Sequence, residues 1–419
     1  MRKDTMLPIL VGCCAILLVN FSIRSSFGVF QIPIANEFGW MRADFSTAIA
    51  IQNLFWGIGQ PIFGAIAERF GDRRALIGGA ILYAVGLGLS AFAVTPAQHW
   101  VLEALVGFGI AGTGFGVILA IVGRAASDEK RSMALAIATA AGSGGQIVGP
   151  PLAELLLSVI AWQSIFFVFA LAILAVLFVL PMLSPATRDD GQSAQASESM
   201  LTAVTRAFRD PSFTLITLGF FSCGYQLGFV TAHFPAMVTE MCGPIAPGSL
   251  LANIGIASTS ALGAVALSVI GVTNIIGTLT AGWLGARFPR KYLLATIYAL
   301  RAISAAAFIL APITPGSVLI FAVVFGALWL ATIPLTSGLV GHIYGLRFMG
   351  TLYGFVFLGH QIGAFLGIWL GGRLYDAYGS YSVVWWIGIG VGVFSAIVHL
   401  PVREKPLFAT PSYAPSASA

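Results

Sequence analysis

Charged residues are scarce in this sequence. Only 9% of its 419 residues are Asp, Glu, Lys or Arg, whereas an average soluble domain carries about 25%. The 21 basic and 16 acidic side chains are too few to cover a soluble surface of this size, which excludes a soluble enzyme and a disordered chain. The four cysteines (Cys13, Cys14, Cys223 and Cys242) lack disulfide or metal-site spacing, so a disulfide-rich secreted module and a metal site are excluded as well.

The sequence consists mainly of long apolar runs, and 58% of its residues are hydrophobic. A membrane-spanning helix needs about 20 mostly apolar residues, since the hydrocarbon core is about 30 Å thick. Membrane β-barrels instead alternate apolar and polar residues, which these runs do not. We therefore predict an all-α membrane protein with about twelve transmembrane helices. The predicted spans are 8–30, 46–66, 76–95, 101–123, 133–157, 163–182, 213–237, 257–281, 292–311, 317–340, 351–371 and 382–400.

Basic residues concentrate in alternate loops between the spans. Lys and Arg in short loops favour the cytoplasm. With the N-terminus inside, 17 of the 21 basic residues are cytoplasmic: Arg2, Lys3, Arg69, Arg73, Arg74, Arg124, Lys130, Arg131, Arg188, Arg206, Arg209, Arg287, Arg290, Lys291, Arg347, Arg403 and Lys405. Arg42 and Arg373 lie on the opposite face, and Arg24 and Arg301 lie inside spans. The pattern predicts a multi-pass protein of the bacterial inner membrane with both termini cytoplasmic, and the net charge of +5 implies no nucleic-acid partner.

The longest polar interruption divides the chain into two similar halves. We predict a six-helix bundle over 1–183, a flexible cytoplasmic linker over 184–211, a second bundle over 212–402 and a cytoplasmic tail over 403–419. The segments 64–70 and 282–288 echo each other, as do 145–147 and 360–362, and Pro33 and Pro235. Two pseudo-symmetric bundles with a site near the midplane are typical of secondary transporters.

The loop after the second span carries a recognisable motif. It reads Gly64-x-x-Ala67-Glu68-Arg69-Phe70-Gly71-Asp72-Arg73-Arg74. This closely resembles the signature loop of the major facilitator superfamily, and the copy at 282–288 is degenerate. The resemblance implies that Gly64 and Gly71 allow close helix packing and that Glu68, Asp72, Arg69, Arg73 and Arg74 form ion pairs that latch a cytoplasmic gate. The alternative is an ordinary solvated, positively charged loop.

Within that superfamily the sequence is similar to the monocarboxylate porters. Span 1 contains Ser22-Ile23-Arg24-Ser25-Ser26-Phe27-Gly28-Val29-Phe30, and the porters place a lysine where Arg24 stands. Residues 372–381, followed by Trp385-Trp386, also look like the corresponding porter segment. Helix 8 departs from the pattern. Thr273 and Gly277 align with the porters' acid and arginine, and Thr278 lies near the arginine of oxalate/formate-type carriers. The usual carboxylate clamp and proton relay of helix 8 are therefore missing.

Two buried ionisable residues are the main candidates for the site. A charge at midplane costs several kcal/mol, so it is usually functional. Arg24 can bind a carboxylate through two parallel hydrogen bonds, and we expect it to anchor an anion; the alternative is an ion pair with Glu154. His360 can change charge near neutral pH, so it is a candidate for substrate binding and for proton coupling; the alternative is a neutral histidine hydrogen-bonded within the bundle.

Other charged and polar residues receive weaker assignments. Glu154 is the candidate coupling carboxylate, Glu103 is expected at the outer interface, and Arg301 is expected to be structural or part of the gate. Several polar side chains in core-lining spans can complete the site, and Gln226 is the repeat counterpart of Arg24. These are Asn20, Asn53, Gln146, Tyr225, Gln226, His233, Asn274, Tyr353 and Gln361.

Together these features favour a secondary transporter and not an enzyme. We expect it to move a small organic anion, a monocarboxylate, by alternating access, with a proton or a counter-anion as coupled species. We expect no cofactor, no metal and a monomeric chain in the lipid bilayer. Gly145, Gly149 and Pro150 partly match the helix-5 element of drug/proton antiporters, so export of lipophilic drugs is the second hypothesis. A membrane receptor that binds a ligand without transporting it is the third.

Overall fold

The computed structural model describes residues 6–40, 42–183 and 199–407. These residues form α-helices joined by short turns and two 3-10 segments, Phe27–Phe30 and Val176–Met182. The α-helices are α1 Met6–Ser26, α2 Gln31–Phe38, α3 Arg42–Phe70, α4 Asp72–Ser90, α5 Pro96–Thr113, α6 Phe115–Ala125, α7 Asp128–Leu157, α8 Trp162–Ala175, α9 Met200–Arg209, α10 Pro211–Met241, α11 Leu250–Asn253, α12 Thr259–Gly285, α13 Arg290–Leu310, α14 Pro315–Ala327, α15 Thr332–Tyr344, α16 Met349–Tyr378 and α17 Ser382–His399.

The predicted spans correspond to twelve helical rods in the described part of the chain. The first bundle contains α1, α3, α4, α5 with α6, α7 and α8, and the second contains α10, α12, α13, α14 with α15, α16 and α17. Within the described residues, nine rods are long and apolar enough to cross a membrane. The other three of the twelve rods are α3, α4 and α7, each of which begins with a charged residue. The predicted fold class of two pseudo-symmetric six-helix bundles is confirmed.

The fourth and tenth rods each break near the middle. Gly114 adopts an extended conformation between α5 and α6, and four residues separate α14 from α15. Both rods also start alike, with a capping box at Thr95 or Thr314 followed by a proline. The apolar run continues through each break, so the sequence predicts one continuous span for each rod.

Glycines bring the first helix of each bundle against the fifth. A Cβ atom at Gly145 or Gly149 would lie 2.3 or 2.1 Å from a carbonyl oxygen of α1. A Cβ atom at Gly363 or Gly367 would lie 2.1 or 2.2 Å from a carbonyl oxygen of α10. Small residues permit such close approach. Gly145 in the first bundle and Gly363 in the second therefore occupy equivalent positions in the packing. The sequence repeat instead makes His360, about one helical turn earlier on α16, the counterpart of Gly145.

The two bundles meet through α3 against α16 and α7 against α12. We call the end of the molecule that carries the loops α3–α4, α6–α7 and α12–α13 the basic end. There a Cβ atom at Gly64 would lie 2.4 Å from the Gly350 carbonyl carbon, and one at Gly282 would lie 2.3 Å from the Ala136 Cβ. The bundles are thus tightly apposed at the basic end.

Helix α9 and the start of the predicted tail lie at the basic end. Residues 184–198 of the predicted linker lie outside the described part, whereas α9 occupies 200–209 and is capped by the Ser199 hydroxyl. The start of the predicted tail packs on the α12–α13 loop, since Glu404 accepts hydrogen bonds from the backbone of Arg290 at 3.1 Å and of Lys291 at 3.2 Å. The tail beyond residue 407 lies outside the described part.

Candidate functional site

Polar side chains converge between the two bundles, near the middle of the helices. Arg24 lies on α1 and Asn53 on α3, whereas His360 lies on α16, 11 residues after its first residue and thus about 16 Å along the helix. Helices α3 and α16 cross closely here, since a Cβ atom at Gly57 would lie 2.6 Å from the Gln361 Cβ. We define the central site as Asn20, Arg24, Asn53, Trp56, Tyr353, His360 and Gln361.

Arg24 is held by the first bundle but is not saturated. Its Nη2 donates to Asn53 Oδ1 at 2.7 Å, and its guanidinium carbon lies 4.7 Å from the centre of the Trp56 ring. Its Nε is buried without a hydrogen-bond partner. Among the described side chains, no carboxylate lies within 4.0 Å of the guanidinium. Arg24 is therefore a half-buried cation whose buried Nε leaves donor capacity to spare.

An aromatic cluster connects Arg24 to the second bundle. The Trp56 ring lies 4.8 Å from Phe357, whose ring stacks on His360 at 5.2 Å with an interplanar angle of 10°. Phe220 of α10 approaches His360 at 4.8 Å. The cluster places the arginine of one bundle and the histidine of the other on opposite sides of the Trp56–Phe357 pair.

His360 and Gln361 pair with each other on α16. His360 Nδ1 donates to Gln361 Oε1 at 2.9 Å, because an amide oxygen can only accept. His360 Nε2 is therefore an acceptor in the neutral ring and becomes a donor when the ring is protonated. Tyr353, two turns earlier, is fully buried with its ring 6.0 Å from Phe357. These three predicted site residues lie together at the interface.

The central site contains polar atoms that no described residue satisfies. Buried polar groups are normally hydrogen-bonded, so each such atom is informative. Three of these atoms only donate, the tyrosine hydroxyl can donate, the histidine nitrogen donates when protonated, and one amide oxygen only accepts. The unpartnered atoms are Asn20 Oδ1, Arg24 Nε, Trp56 Nε1, Tyr353 Oη, His360 Nε2 and Gln361 Nε2. The site is thus rich in donors.

Two more of the predicted residues belong to the first bundle, Asn20 within the central site and Gln146 beside it. Asn20 is fully buried and donates to Thr113 Oγ1 at 2.6 Å, next to the break between α5 and α6. Gln146 is half-buried on α7, beside the glycines that pack on α1. Asn20 therefore connects the helix of Arg24 to the broken fourth rod.

Tyr225 and Gln226 point away from the interface. Gln226 Nε2 donates to the Gly388 carbonyl at 3.0 Å, and the Tyr225 hydroxyl donates to the Val384 carbonyl at 3.4 Å. Both line a small cavity inside the second bundle, together with aromatic residues such as Trp385. The structure does not bring these two predicted residues to the central site, because α17 takes up their hydrogen bonds.

Helix α12 joins the bundles through a neutral contact at Asn274, next to Thr273. Asn274 Nδ2 donates to Ser143 Oγ of α7 at 2.8 Å, and Asn274 Oδ1 accepts from the Leu330 amide at 2.8 Å. Thr273 donates to the Val269 carbonyl of its own helix at 2.8 Å. The amide of Asn274 thus ties α7 to the break in the tenth rod.

Arg301 is fully buried inside the second bundle. Its Nε donates to the Leu328 carbonyl at 3.0 Å, its Nη2 donates to the Trp329 carbonyl, and its Nη1 donates to Cys223 Sγ at 3.2 Å. Leu328 and Trp329 lie at the break between α14 and α15, where the helix leaves carbonyls unpaired. Arg301 therefore stabilises the broken rod, in line with the structural expectation.

The predicted gate residues divide into two groups at the basic end. Glu68 crosses to the other bundle, where it accepts from the Thr351 amide at 3.0 Å and from the Thr351 hydroxyl. Asp72 pairs with Arg124 at 2.6 Å, within its own bundle. Gly71 caps α4 with a φ of 98°, which favours glycine.

The basic members of the motif lie at the surface. Arg73 and Arg74 are exposed, and the guanidinium of Arg69 lies 5.2 Å from the Phe70 ring. Contact between the bundles in this loop therefore rests on Gly64 and Glu68, and the expected pairing of Asp72 with Arg69, Arg73 or Arg74 is replaced by Asp72–Arg124.

Glu103 lies within the first bundle, seven residues after the start of α5. Its side chain, expected at the outer interface, is fully buried and accepts from Gln52 Nε2 at 2.6 Å. His99, one turn earlier, is also buried, with Nδ1 at 3.9 Å from Glu103 Oε1. The four-residue spacing of His99 and Glu103 is the signal that could have pointed to this cluster. The side chain of Glu154, the predicted coupling carboxylate, lies outside the described part.

The geometry defines a multi-pass integral membrane protein with a polar site between two six-helix bundles. The family model of the Major Facilitator Superfamily matches residues 12–263 and 234–415. The chain belongs to the Major Facilitator Superfamily, and it is a transporter of that family.

Individual relatives are distant. The uncharacterised MFS-type transporter YcxA of Bacillus subtilis (strain 168) is 25% identical, over 92% of this chain and 92% of its own. Monocarboxylate transporter 13 of Rattus norvegicus is 25% identical, over 90% of this chain and 86% of its own. The solved structure of the proton:xylose symporter XylE has a TM-score of 0.75 at 14% identity, covering 97% of this chain and 98% of that one, and shows the fold alone.

Proposed function

We propose that this protein is a secondary transporter that carries a small organic anion, a monocarboxylate, in symport with protons or in exchange for another anion. The observation that carries the proposal is the set of unpartnered donors around Arg24. A carboxylate has only acceptor atoms, and a guanidinium can bind it through charge-assisted hydrogen bonds. Full-length similarity to a monocarboxylate transporter supports the same substrate class.

The two bundles contribute different groups to substrate binding. Arg24 of α1 supplies the permanent charge, and Asn53 fixes its orientation through the 2.7 Å hydrogen bond. His360 and Gln361 of α16 supply donors from the other side, and protonation of His360 would add a second positive charge. An anion bound by both sets of groups would hold the bundles together around it. Binding and release would then be linked to their relative motion.

The contacts at the basic end support alternating access. With that end assigned to the cytoplasm, as the positive loops indicate, the bundles are closed on the cytoplasmic side. Opening the cytoplasmic side would separate Glu68 from Thr351 and Gly64 from Gly350. Because a Cβ atom at Gly64 has no room in the closed state, we expect Gly64→Ala to favour the inward-facing state. Gly390→Ala, at a position with open space, is the matched control.

The proposal is tested by uptake into proteoliposomes. Purified protein is reconstituted and supplied with radiolabelled short carboxylic acids, including lactate and pyruvate, with and without a pH gradient or internal anion. We expect saturable uptake of at least one acid that depends on one of the two gradients and is lost in Arg24→Ala. Carboxylate uptake that survives in Arg24→Ala contradicts the role of Arg24 as the anchor.

Export of lipophilic compounds is the second candidate, because of the aromatic cluster. Phe21, Trp56 and Phe115 pack within 6.5 Å of one another, ring centre to ring centre, Phe357 lies within 6.4 Å of Trp56 and Phe115, and the four rings could hold an apolar molecule. This hypothesis expects Arg24 to be dispensable. Proton-driven efflux of a lipophilic dye that persists in Arg24→Ala, without carboxylate uptake by the wild type, would favour it.

A further inference from the structure

A second cluster of ionisable groups lies inside the first bundle, outside the central site. Glu103 and His99 share one face of α5 and are 0% and 2% exposed. Gln52 of α3 donates to Glu103 Oε2 at 2.6 Å, and His99 Nδ1 lies 3.9 Å from Glu103 Oε1. The ring of Phe45 stacks on His99 at 5.3 Å and shields the pair from the end of the bundle opposite the basic end.

The cluster has spare capacity for a proton. Glu103 Oε1 and His99 Nε2 are both buried without a hydrogen-bond partner. Among the described side chains, no arginine or lysine lies within 4.0 Å of the Glu103 carboxylate. A buried carboxylate without a permanent cation is costly in its charged form. Uptake of a proton by the pair therefore relieves an unfavourable charge.

The cluster is connected to the central site by two routes. Gln52, which binds Glu103, is followed on α3 by Asn53, which binds Arg24. The buried Tyr83 of α4 interacts electrostatically with both Glu103 and Arg24, and its hydroxyl is unpartnered. The groups next to Glu103 are thus His99 on α5, Tyr83 on α4 and the neutral Gln52 on α3, and Tyr83 also faces Arg24 on α1.

The two routes are short because α3 and α5 are in close contact. A Cβ atom at Gly107, one turn after Glu103, would lie 2.1 Å from the Gln52 carbonyl oxygen. The two helices cannot slide past each other here without a clash. The helix that carries Glu103 is therefore in tight contact with the α3 segment that holds Arg24 through Asn53.

We propose that Glu103 and His99 form the site that binds the transported proton. The proposal rests on the proposed anion transport and specifies its coupling. With Glu103 charged, its negative charge competes with a substrate anion for the field of Arg24; with Glu103 protonated, Arg24 is free to attract the anion. One proton and one monocarboxylate then move together, and the pair carries no net charge across the membrane. Protonation and anion binding strengthen each other by linkage.

The test compares binding and transport in Glu103→Gln and Glu37→Gln. Glutamine at position 103 keeps an acceptor for Gln52 but cannot take up a proton. Glu37 lies toward the same end of the bundle, is exposed and accepts from Trp162 Nε1 at 2.5 Å, so it is the matched control. Purified, reconstituted full-length protein is assayed for lactate binding as a function of pH, for exchange of labelled against unlabelled lactate, and for accumulation driven by a pH gradient.

In wild type and Glu37→Gln, we expect lactate affinity to rise by about 5- to 150-fold as the pH falls, the usual range for coupled sites. In Glu103→Gln, we expect most of the pH dependence of affinity to be lost, with only the contribution of His360 remaining, exchange to persist and gradient-driven accumulation to be lost. Accumulation that persists in Glu103→Gln, or pH dependence that disappears only in His360→Gln, overturns the inference. Absence of carboxylate exchange by the wild type instead overturns the proposed function.

A second variant covers the case in which Glu103→Gln does not fold. His99→Gln removes the histidine of the pair and leaves the Gln52–Glu103 hydrogen bond in place. We expect its lactate affinity to depend less steeply on pH than that of the wild type. A pH profile identical to the wild-type profile in folded His99→Gln protein contradicts a proton site shared by the two residues.

Discussion

The two arginines inside the spans, Arg24 and Arg301, have opposite surroundings. Arg301 donates to two backbone carbonyls at the break in the tenth rod and to the Cys223 sulfur, and it is fully buried. Arg24 donates to one side chain, Asn53, and keeps its Nε unpartnered at the interface between the bundles. A charge within the bundle is costly, and Arg301 is fully buried whereas Arg24 is half-buried.

The difference separates structural from functional charge. The hydrogen bonds of Arg301 compensate for its burial, and they also satisfy carbonyls that the broken helix leaves free. The contacts of Arg24 within the protein leave part of its donor capacity unused, so a ligand must supply the remainder. The same substitution at the two positions should therefore have opposite effects on folding and on binding.

Arg301→Met should have the largest effect, and on stability. Methionine fills similar space but leaves the Leu328 and Trp329 carbonyls without their donor in a low-dielectric interior. Each unsatisfied group costs about 1–3 kcal/mol, so a loss of about 2–6 kcal/mol is expected. Thermal unfolding of the purified protein, followed by size-exclusion chromatography after heating, should show a lower midpoint.

Binding provides the control for that experiment. Folded Arg301→Met protein should bind lactate with the affinity of the wild type, because Arg301 does not reach the central site. If the variant is as stable as the wild type and loses binding instead, Arg301 is a substrate or gating residue.

Arg24→Met should show the reverse pattern. Removing one partner of a buried charged hydrogen bond costs about 2–5 kcal/mol of binding free energy, which is about 30-fold or more in affinity. Stability should be unchanged or slightly higher, since an incompletely compensated charge is removed from the interior. Equilibrium lactate binding and the same unfolding assay measure both quantities. A stability loss as large as that of Arg301→Met would erase the distinction between the two arginines.

The sequence predicts the fold well because membrane insertion depends on composition. Twelve spans and two bundles follow from apolar runs and a repeat, and the structure contains both. The breaks in the fourth and tenth rods cannot be predicted from apolar runs, because hydropathy is the same in straight and broken helices. Asn20 and Arg301, which contact these breaks, show that tertiary hydrogen bonds stabilise them.

The site is less predictable because long-range partners decide it. Arg24 and His360 stand out as rare ionisable residues, but only the packing shows that Gln226 turns toward α17. Glu103 lies close to a helix end in sequence and is nevertheless buried, since Gln52 and His99 enclose it. Distance along a helix indicates depth in the membrane, whereas burial depends on which neighbouring helices cover that face.

Asn53→Ala should have an intermediate effect. A hydrogen bond to a charged group contributes about 1.5–3 kcal/mol, so lactate affinity should fall by about 10- to 150-fold as Arg24 loses its fixed orientation. Ser395→Ala is the matched control, because it removes a buried side-chain hydrogen bond, to the Gly219 carbonyl, inside the second bundle and outside the central site. Its binding should equal that of the wild type. Equal losses in both variants would indicate that the loss in Asn53→Ala is a general effect on packing.

Trp56→Phe should have the smallest effect and tests whether the unpartnered donors matter individually. Phenylalanine keeps an aromatic face for the Arg24 guanidinium, which lies 4.7 Å from the ring centre, but lacks the Nε1–H donor. If that donor reaches the substrate carboxylate, its loss should cost about 0.5–1.5 kcal/mol, or about 2- to 13-fold in affinity. Lactate binding measures it, with uptake of a lipophilic dye as the comparison. Lost lactate affinity with unchanged dye handling would mean that Trp56 serves the anion as a donor, whereas unchanged lactate affinity would leave it an aromatic partner of Arg24 alone.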